Sequence, residues 1–187
     1  MKVFNLLWIL CCLLFSQTLC AESFPVEYKI KAGYLYNFTK FVTWPEDNSE
    51  TFNLCILGED PFGELIDPIE QRSAFGLPIK LLRFDSPNTL RSTKNKPHCH
   101  IIFISSSNGS EIKDIISKST LVIRDINKTL TVSEGDDFAM QGGMVSFVNR
   151  EGKIKLQINL KKIKQSDLKV SAKLLEVSEI VEGGNSD

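Results

Sequence analysis

Four short apolar runs, separated by stretches with helical character, leave few folds open to this chain. The runs are FNLCILG, LPIKLLRF, CHIIFIS and TLVIRD. Runs that are apolar at successive positions, such as IIFI and LVI, are typical of parallel strands covered on both faces. Strands that alternate with helices predict parallel pairing through crossover connections. We therefore expect a single α/β domain with a mainly parallel sheet flanked by helices.

The connections between these runs carry helix signals of different strength. In DPFGELIDPIE, Asp60 is a suitable N-cap and Pro61 occupies the first helical position. NGSEIKDIISKS has isoleucines at helical spacing, whereas NTLRSTKN predicts a weak helix or a loop. We therefore expect helices after the first and third strands.

The segment before the first strand predicts an amphipathic helix over residues 26–43. Its apolar positions share one helical face; they are Val26, Ile30, Tyr34, Phe38, Phe41 and Val42. Trp44 and Pro45 end the helix, because the residue before a proline avoids helical geometry.

After Asp136 the pattern changes to one typical of antiparallel strands. MVSFVNREGKIKLQINL predicts a hairpin that turns at Arg150, Glu151 and Gly152. Alternation places five side chains on apolar faces; these are Val145, Phe147, Ile154, Leu156 and Ile158. The next segment, SDLKVSAKLLEVSEI, is predicted to be helical or mixed, and residues 183–187 form a disordered tail.

The N-terminus has the layout of a secretory signal peptide. Lys2 is followed by an apolar run over residues 3–15 and then by small and polar residues. This run is shorter than the ~20 residues that a membrane-spanning helix needs. We expect cleavage near Ala21, which gives a signal peptide over 1–21 and one domain over 22–182. An uncleaved N-terminal anchor, or a lipoprotein lipidated at Cys20, is the alternative.

Cysteine usage is consistent with export. Three of the five cysteines lie in the signal peptide, so cleavage leaves Cys55 and Cys99. Two thiols in an oxidising compartment suggest one disulfide, provided that their two strands are neighbours. The alternative is a pair of separate buried thiols that pack as small apolar groups.

Charge and motifs favour a binding protein over an enzyme. The net charge is −1, so no overall field favours nucleic acid as a partner. The sequence has no nucleophile elbow, P-loop, zincin helix or dinucleotide-binding glycine fingerprint. With only two histidines, both beside Cys99, a catalytic triad is difficult to assemble. We expect no catalysis and no cofactor.

His98 and His100 would share one side of a strand and could together hold a metal ion. A closed metal site needs four ligands, and the sequence contains no other histidine. We therefore favour structural histidines at the end of a strand and expect no metal.

Polar residues follow two of the predicted strands and form a candidate ligand site. Ligands of parallel α/β sheets gather at the carboxyl ends of strands, and helix N-termini attract anions. The candidate ligand-binding residues are Glu59, Asp60, Ser105, Ser106 and Ser107. Ordinary helix capping by the Ser and Asn side chains is the alternative.

Five segments in register resemble the YfiR-like family of bacterial periplasmic proteins over roughly residues 28–178. The segments are KAGYLYNFTKFVTWP, FNLCILGEDPFG, CHIIFIS, GGMVSFVNREGKIKLQINL and SAKLL. The resemblance implies a non-catalytic periplasmic repressor that binds the periplasmic domain of an inner-membrane diguanylate cyclase. Repression would lower cyclic di-GMP and biofilm formation.

The resemblance also implies further partners and a place for the cysteines. Relatives form homodimers, and an OmpA-like outer-membrane lipoprotein can sequester the repressor. Cys55 and Cys99 fall in the strands where family cysteines occur, whereas a second disulfide of the repressor type has no cysteines here. The alternative function is a periplasmic small-ligand sensor or carrier that acts through a separate signalling partner.

The double glycine before the hairpin is a candidate partner surface. Glycine permits positive φ and close backbone approach, which would leave Met144 near the surface as an adaptable contact. We therefore expect partner or dimer contacts from Gly142, Gly143, Met144 and Phe147. The alternative is a tight turn that only the fold requires.

Overall fold

The structure is a computed structural model that describes residues 23–94, 97–105, 117 and 123–183. The predicted signal peptide, nearly all of the predicted helix NGSEIKDIISKS, Ser106, Ser107 and residues 184–187 lie outside the described residues. Among the helices it does describe, none is long and apolar enough to cross a membrane.

Eight of the described strands form one mixed sheet, and two more form a small antiparallel pair. In chain order they are β1 (Val42–Thr43), β2 (Phe52–Leu57), β3 (Ser73–Ala74), β4 (Leu77–Phe84), β5 (Ile101–Ile104), β6 (Leu130–Glu134), β7 (Val145–Arg150), β8 (Lys153–Asn159), β9 (Lys169–Val170) and β10 (Ser178–Val181). The main sheet has the order β10-β8-β7-β6-β5-β2-β4-β3, and β1 pairs with β9. Strands β4, β2, β5, β6 and β7 run parallel to one another. Strand β3 is antiparallel to β4, β8 is antiparallel to β7, and β10 is parallel to β8. The predicted α/β fold with a mainly parallel sheet is confirmed.

Short helices accompany one long one. The described α-helices are α1 (Ser23–Phe41), α2 (Pro87–Ser92), α3 (Asp136–Met140), α4 (Leu160–Lys164) and α5 (Ala172–Glu176). The predicted helix after β2 consists of two 3-10 helices, Gly63–Leu65 and Asp67–Gln71. Pro68 lacks a backbone N–H, which prevents an α-helix from running through this segment.

Helix α1 is confirmed, but its buried face differs from the predicted one. Val26 and Ile30 are 60% and 45% exposed, whereas Lys31, Leu35 and Phe38 are buried. The predicted face counted apolar residues only. The buried face lies one position further along because Lys31 is paired with carboxylates and can be buried.

Two apolar clusters cover the two faces of the sheet. The larger cluster is formed by side chains of α1 packed against one face of strands β2, β5, β6 and β7. The smaller cluster contains Cys55, Cys99 and Phe138 on the opposite face. All six residues of β2 are buried, which is the pattern expected for a strand covered on both sides.

The predicted strand TLVIRD is wrong over its described residues. Ile123, Arg124 and Asp125 lie in a bend and turn, and Asp125 has a left-handed φ of 54° at the start of the 3-10 helix Ile126–Lys128. The neighbour of β5 is instead β6, LTVSE. A left-handed residue breaks the extended backbone, so the strand forms only after this turn.

The predicted hairpin is confirmed as β7 and β8. Arg150 pairs with Lys153, and Glu151 and Gly152 form the turn with φ of 53° and 77°. Positive φ at both central residues defines the turn whose twist matches paired strands. The predicted apolar positions all contact the larger cluster.

Candidate functional site

A buried disulfide joins two neighbouring strands of the sheet. Cys55 lies within β2 and Cys99 lies just before β5, with their Cα atoms 5.8 Å apart. The two residues are 0% and 1% exposed. The predicted disulfide is therefore confirmed, and the alternative of two separate thiols is wrong.

At the amino end of β5, Asp47 meets both histidines. Asp47 Oδ2 lies 2.6 Å from His98 Nδ1 and 3.3 Å from His100 Nε2. The Ser49 hydroxyl donates to the same oxygen at 2.9 Å. His98 and His100 are 7% and 4% exposed, whereas the Asp47 side chain is 18% exposed. We call this polar group the Asp47–His98–His100 cluster.

Strand β2 fixes the orientation of His100. The Asn53 N–H donates to His100 Nδ1 at 3.0 Å, and the His100 N–H donates to the Asn53 carbonyl at 2.9 Å. The Trp44 indole donates to the His100 carbonyl at 2.9 Å. A neutral imidazole carries one proton. Because Nδ1 accepts a hydrogen bond, that proton lies on Nε2 and points at Asp47.

The electrostatics of the cluster follow from this arrangement. Burial and the neighbouring His98 lower the pKa of His100 to about 4, and the opposing attraction of Asp47 is weaker. Burial raises the pKa of Asp47, but hydrogen bonds from Ser49 and His98 outweigh it, so this pKa lies below its usual value. At neutral pH the cluster therefore contains an ionised Asp47 and a neutral His100.

The same cluster is the natural place to look for a metal ion. Asp47, His98 and His100 each offer a ligand atom, and these atoms lie within 4.8 Å of one another. A metal on His100 Nε2 would move the ring proton to Nδ1, which faces the Asn53 N–H. Two donors would then oppose each other. The hydrogen bonds therefore favour the structural role that the sequence predicted. Sequence reasoning missed Asp47, which lies 51 residues before His98.

At the carboxyl edge, the structure brings two of the predicted ligand loops together. The Ser105 N–H donates to the Leu57 carbonyl at 2.9 Å, and a Cβ on Gly58 would lie 2.9 Å from the Ser105 carbonyl oxygen. Asp60 accepts from the Phe62 N–H at 2.8 Å and pairs with Arg83. Asp60 therefore stabilises its own turn. Glu59 is exposed, and ligand binding here stays a prediction.

A buried lysine near the same edge was not predicted. Lys31 Nζ donates to Glu134 Oε1 at 2.6 Å and to Glu27 one turn earlier on α1. The Tyr28 hydroxyl donates to the other Glu134 oxygen at 3.4 Å. Burial lowers the pKa of Lys31, but its hydrogen bonds to Glu134 and Glu27 outweigh burial and raise it overall. The spacing of Glu27 and Lys31 indicates a surface pair, so no local signal pointed to this burial.

The double glycine does not expose its neighbours. Met144 and Phe147 are each 2% exposed, so the expected surface position of Met144 is wrong. A Cβ on Gly143 would lie 2.1 Å from the Phe138 ring, and Gly142 has a φ of 111° that other residues rarely adopt. The two glycines are required by the turn and by the packing of Phe138. In this conformation a partner cannot contact Met144 or Phe147 directly.

These features define the class of protein: a single, disulfide-bonded α/β domain with a mixed, mostly parallel sheet. The sequence model of the YfiR/HmsC-like family (DUF4154) matches residues 28–179, and the chain belongs to this family. The family is periplasmic and regulatory rather than catalytic. Membership supports a periplasmic regulator of cyclic di-GMP signalling in general.

The comparison with solved structures adds support for the fold. One similar structure is described as the ABC domain in complex with L-Trp from Streptococcus pneumonia, with a TM-score of 0.52 and 12% sequence identity. The match covers 80% of this chain and 60% of that chain, so the protein spans less than two thirds of its neighbour's length. At this identity the likeness shows the fold alone. A comparison with curated proteins gives no significant match.

Proposed function

We propose that the protein represses an inner-membrane diguanylate cyclase by binding the periplasmic domain of that enzyme. Repression would lower cyclic di-GMP and biofilm formation. The observation that carries the proposal is the family match over residues 28–179, which spans nearly all of the domain. The protein would act as a binding regulator with no reaction of its own.

The polar groups of the described residues support a binding role. Asp47 pairs with both His98 and His100, and His100 Nδ1 accepts a hydrogen bond from β2. Lys31 and Glu134 form an ion pair with each other. Both groups stabilise the fold through these contacts.

The contact surface has to use side chains other than Met144 and Phe147, because these are buried. Val26 and Ile30 are exposed apolar residues spaced four apart on α1, so they share one face of the helix. Exposed apolar side chains that lie together mark interaction surfaces. We propose that this strip of α1 contacts the cyclase.

A direct test is a pull-down of the mature protein with the periplasmic domain of a co-encoded membrane cyclase, together with cyclic di-GMP measured in a deletion strain. The proposal expects binding and a raised cyclic di-GMP level on deletion. An absence of binding with an unchanged level would remove the repressor role and leave the fold and family intact.

The contact surface can be tested separately with charged substitutions. Ile30→Asp is expected to abolish the pull-down while leaving the melting temperature within a few degrees of wild type. Val177→Asp is the matched control, since Val177 is 65% exposed and lies outside α1. Equal binding by both variants would contradict a role for α1.

Two further partners follow from the same proposal. A homodimer would be seen as a doubled mass in sedimentation velocity at micromolar concentration. An OmpA-like outer-membrane lipoprotein would compete with the cyclase for this protein, so adding it should release the cyclase from the pull-down. A monomeric mass would contradict the homodimer alone, and a pull-down unchanged by the lipoprotein would contradict that partner alone.

A further inference from the structure

A small cavity lies beside the double glycine, on the face of the sheet that carries the disulfide. Its volume is about 130 Å³. Ile104, Ile123 and Phe138 provide apolar walls, and Lys162 and Gln165 of the α4 region lie on its polar side. The cavity is thus apolar within and polar at one side.

The double glycine forms part of the cavity wall. Gly142 and Gly143 both line it, and a Cβ on Gly142 would have no atom within 4 Å. A Cβ on Gly143 would overlap the ring of Phe138, which also lines the cavity. The turn that the fold requires therefore also leaves room for a ligand.

Among the described residues that line the cavity, the one charged side chain is that of Lys162. Helix α4 reads LKKIK, and no acidic side chain is among the described residues that line the cavity. Lys162 takes part in none of the ion pairs among the described residues. An ammonium that has no ion-pair partner within the described part of the chain favours a ligand with one negative charge.

A hydroxyl inside the cavity can contribute a second polar contact. Thr131 lines the cavity, and its Oγ1 accepts a hydrogen bond from the Met144 N–H at 3.1 Å. Because a hydroxyl both donates and accepts, its hydrogen is free to donate to a ligand oxygen. Together with the Gln165 amide, the lining offers donors suited to a carboxylate.

The volume limits what can enter. An apolar cavity of ~150 Å³ holds a benzene molecule, whereas drug-sized ligands need pockets of ~300 Å³ or more. We propose that this cavity binds a small monocarboxylate with a single ring or a short branched chain, its carboxylate paired with Lys162. The proposal goes beyond the repression proposed above and does not depend on it.

Benzoate is a suitable probe, with benzamide as its uncharged analogue. The proposal expects benzoate to raise the melting temperature of the mature protein in a concentration-dependent manner, and benzamide to have a much smaller effect. Lys162→Met should weaken benzoate binding about tenfold or more in calorimetry, because a hydrogen bond to a charged group is lost. Lys164→Met is the matched control, since Lys164 lies on the same helix and does not line the cavity.

NMR locates the site independently of any variant. Benzoate should shift the backbone amide signals of Thr131, Gly143 and Met144. Absence of benzoate binding would overturn the proposal, and so would equal binding of benzamide or signal shifts confined to other residues. Equal affinities of the Lys162→Met and Lys164→Met variants would also overturn it. None of these outcomes bears on the cyclase pull-down.

Discussion

At the scale of single residues, the role of a side chain depends more on the residues it contacts than on its own type. Gly143 has an ordinary φ, yet a Cβ there would overlap the Phe138 ring. Lys31 is a long charged residue, yet it is buried because Glu27 and Glu134 accept its hydrogens. Neither role is visible in the residue itself, because each depends on a contact across the fold.

Gly143→Ala should destabilise the protein by roughly 1–3 kcal/mol, since an added methyl group in a packed site forces its neighbours to move. Urea denaturation measures the change. The matched control is Gly33→Ala in α1, where a Cβ meets nothing within 4 Å. There we expect a gain of about 0.5–1 kcal/mol, because alanine loses less backbone entropy than glycine in a helix.

A double variant tests whether the Phe138 ring causes the destabilisation by Gly143→Ala. If the Phe138 ring is responsible, Gly143→Ala should cost less in a Phe138→Leu background, because contacting residues are energetically coupled. An equal cost in both backgrounds would show that the ring is not the cause.

His100 should make the protein less stable in mild acid. Its pKa is about 4 in the folded state and ~6.5 in the unfolded chain, so the unfolded chain binds more protons between these values. The stabilisation is fully present above pH 6.5 and is lost as the pH falls towards 4, by roughly 3 kcal/mol. Urea denaturation at a series of pH values measures this slope.

His100→Gln provides the comparison. The variant should be less stable at pH 7, because it loses the Asn53 and Asp47 contacts, but its stability should depend less on pH between 6.5 and 4. An unchanged slope in the variant would assign the acid sensitivity to other groups.

At the scale of elements, local chemistry predicted some elements and misplaced others. The hairpin of β7 and β8 follows from alternation and from a turn at Glu151 and Gly152. Strand β6 was missed because LTVSE is less apolar than TLVIRD, although LTVSE occupies the place beside β5. Local apolar content therefore identifies strands less reliably than alternation joined to a turn signal.

Glu151→Asn should stabilise the hairpin by about 0.5–1 kcal/mol. Glu151 has a left-handed φ of 53°, and asparagine tolerates this conformation better than other non-glycine residues. Thermal unfolding measures the gain. Glu182→Asn removes the same charge at an exposed position without positive φ and should have almost no effect. Equal effects of the two substitutions would point to charge rather than backbone conformation.

At the scale of the whole molecule, the disulfide links two strands in the middle of the sheet. Cys55 and Cys99 are 44 residues apart in sequence. The bond closes this loop in the unfolded chain and so lowers the conformational entropy of the unfolded state. The segment between them includes β3, β4 and α2. The bond therefore restrains the half of the sheet that contains these elements.

Reduction of the disulfide should lower the free energy of unfolding by about 3–4 kcal/mol, from the entropy of a loop of this length. Urea denaturation with and without reductant measures the difference. The Cys55→Ala, Cys99→Ala double variant is the control and should not respond to reductant. Equal midpoints for the oxidised and reduced wild type would contradict the prediction.

The sequence by itself determined the α/β class and the hairpin, and it reduced the disulfide question to Cys55 and Cys99, whose pairing the structure decided. These features follow from periodicity, turn residues and the number of cysteines, which are local or countable properties. The family resemblance rested on the same local segments and is confirmed by the match over 28–179.

Only the tertiary structure decided where distant side chains meet. It placed Asp47 against both histidines, buried Lys31 and Met144, and formed the cavity beside Gly142. Sequence periodicity states which face of an element is apolar, but not which element covers that face. Burial and polar contacts depend on that packing, and so they could not be predicted from the chain alone.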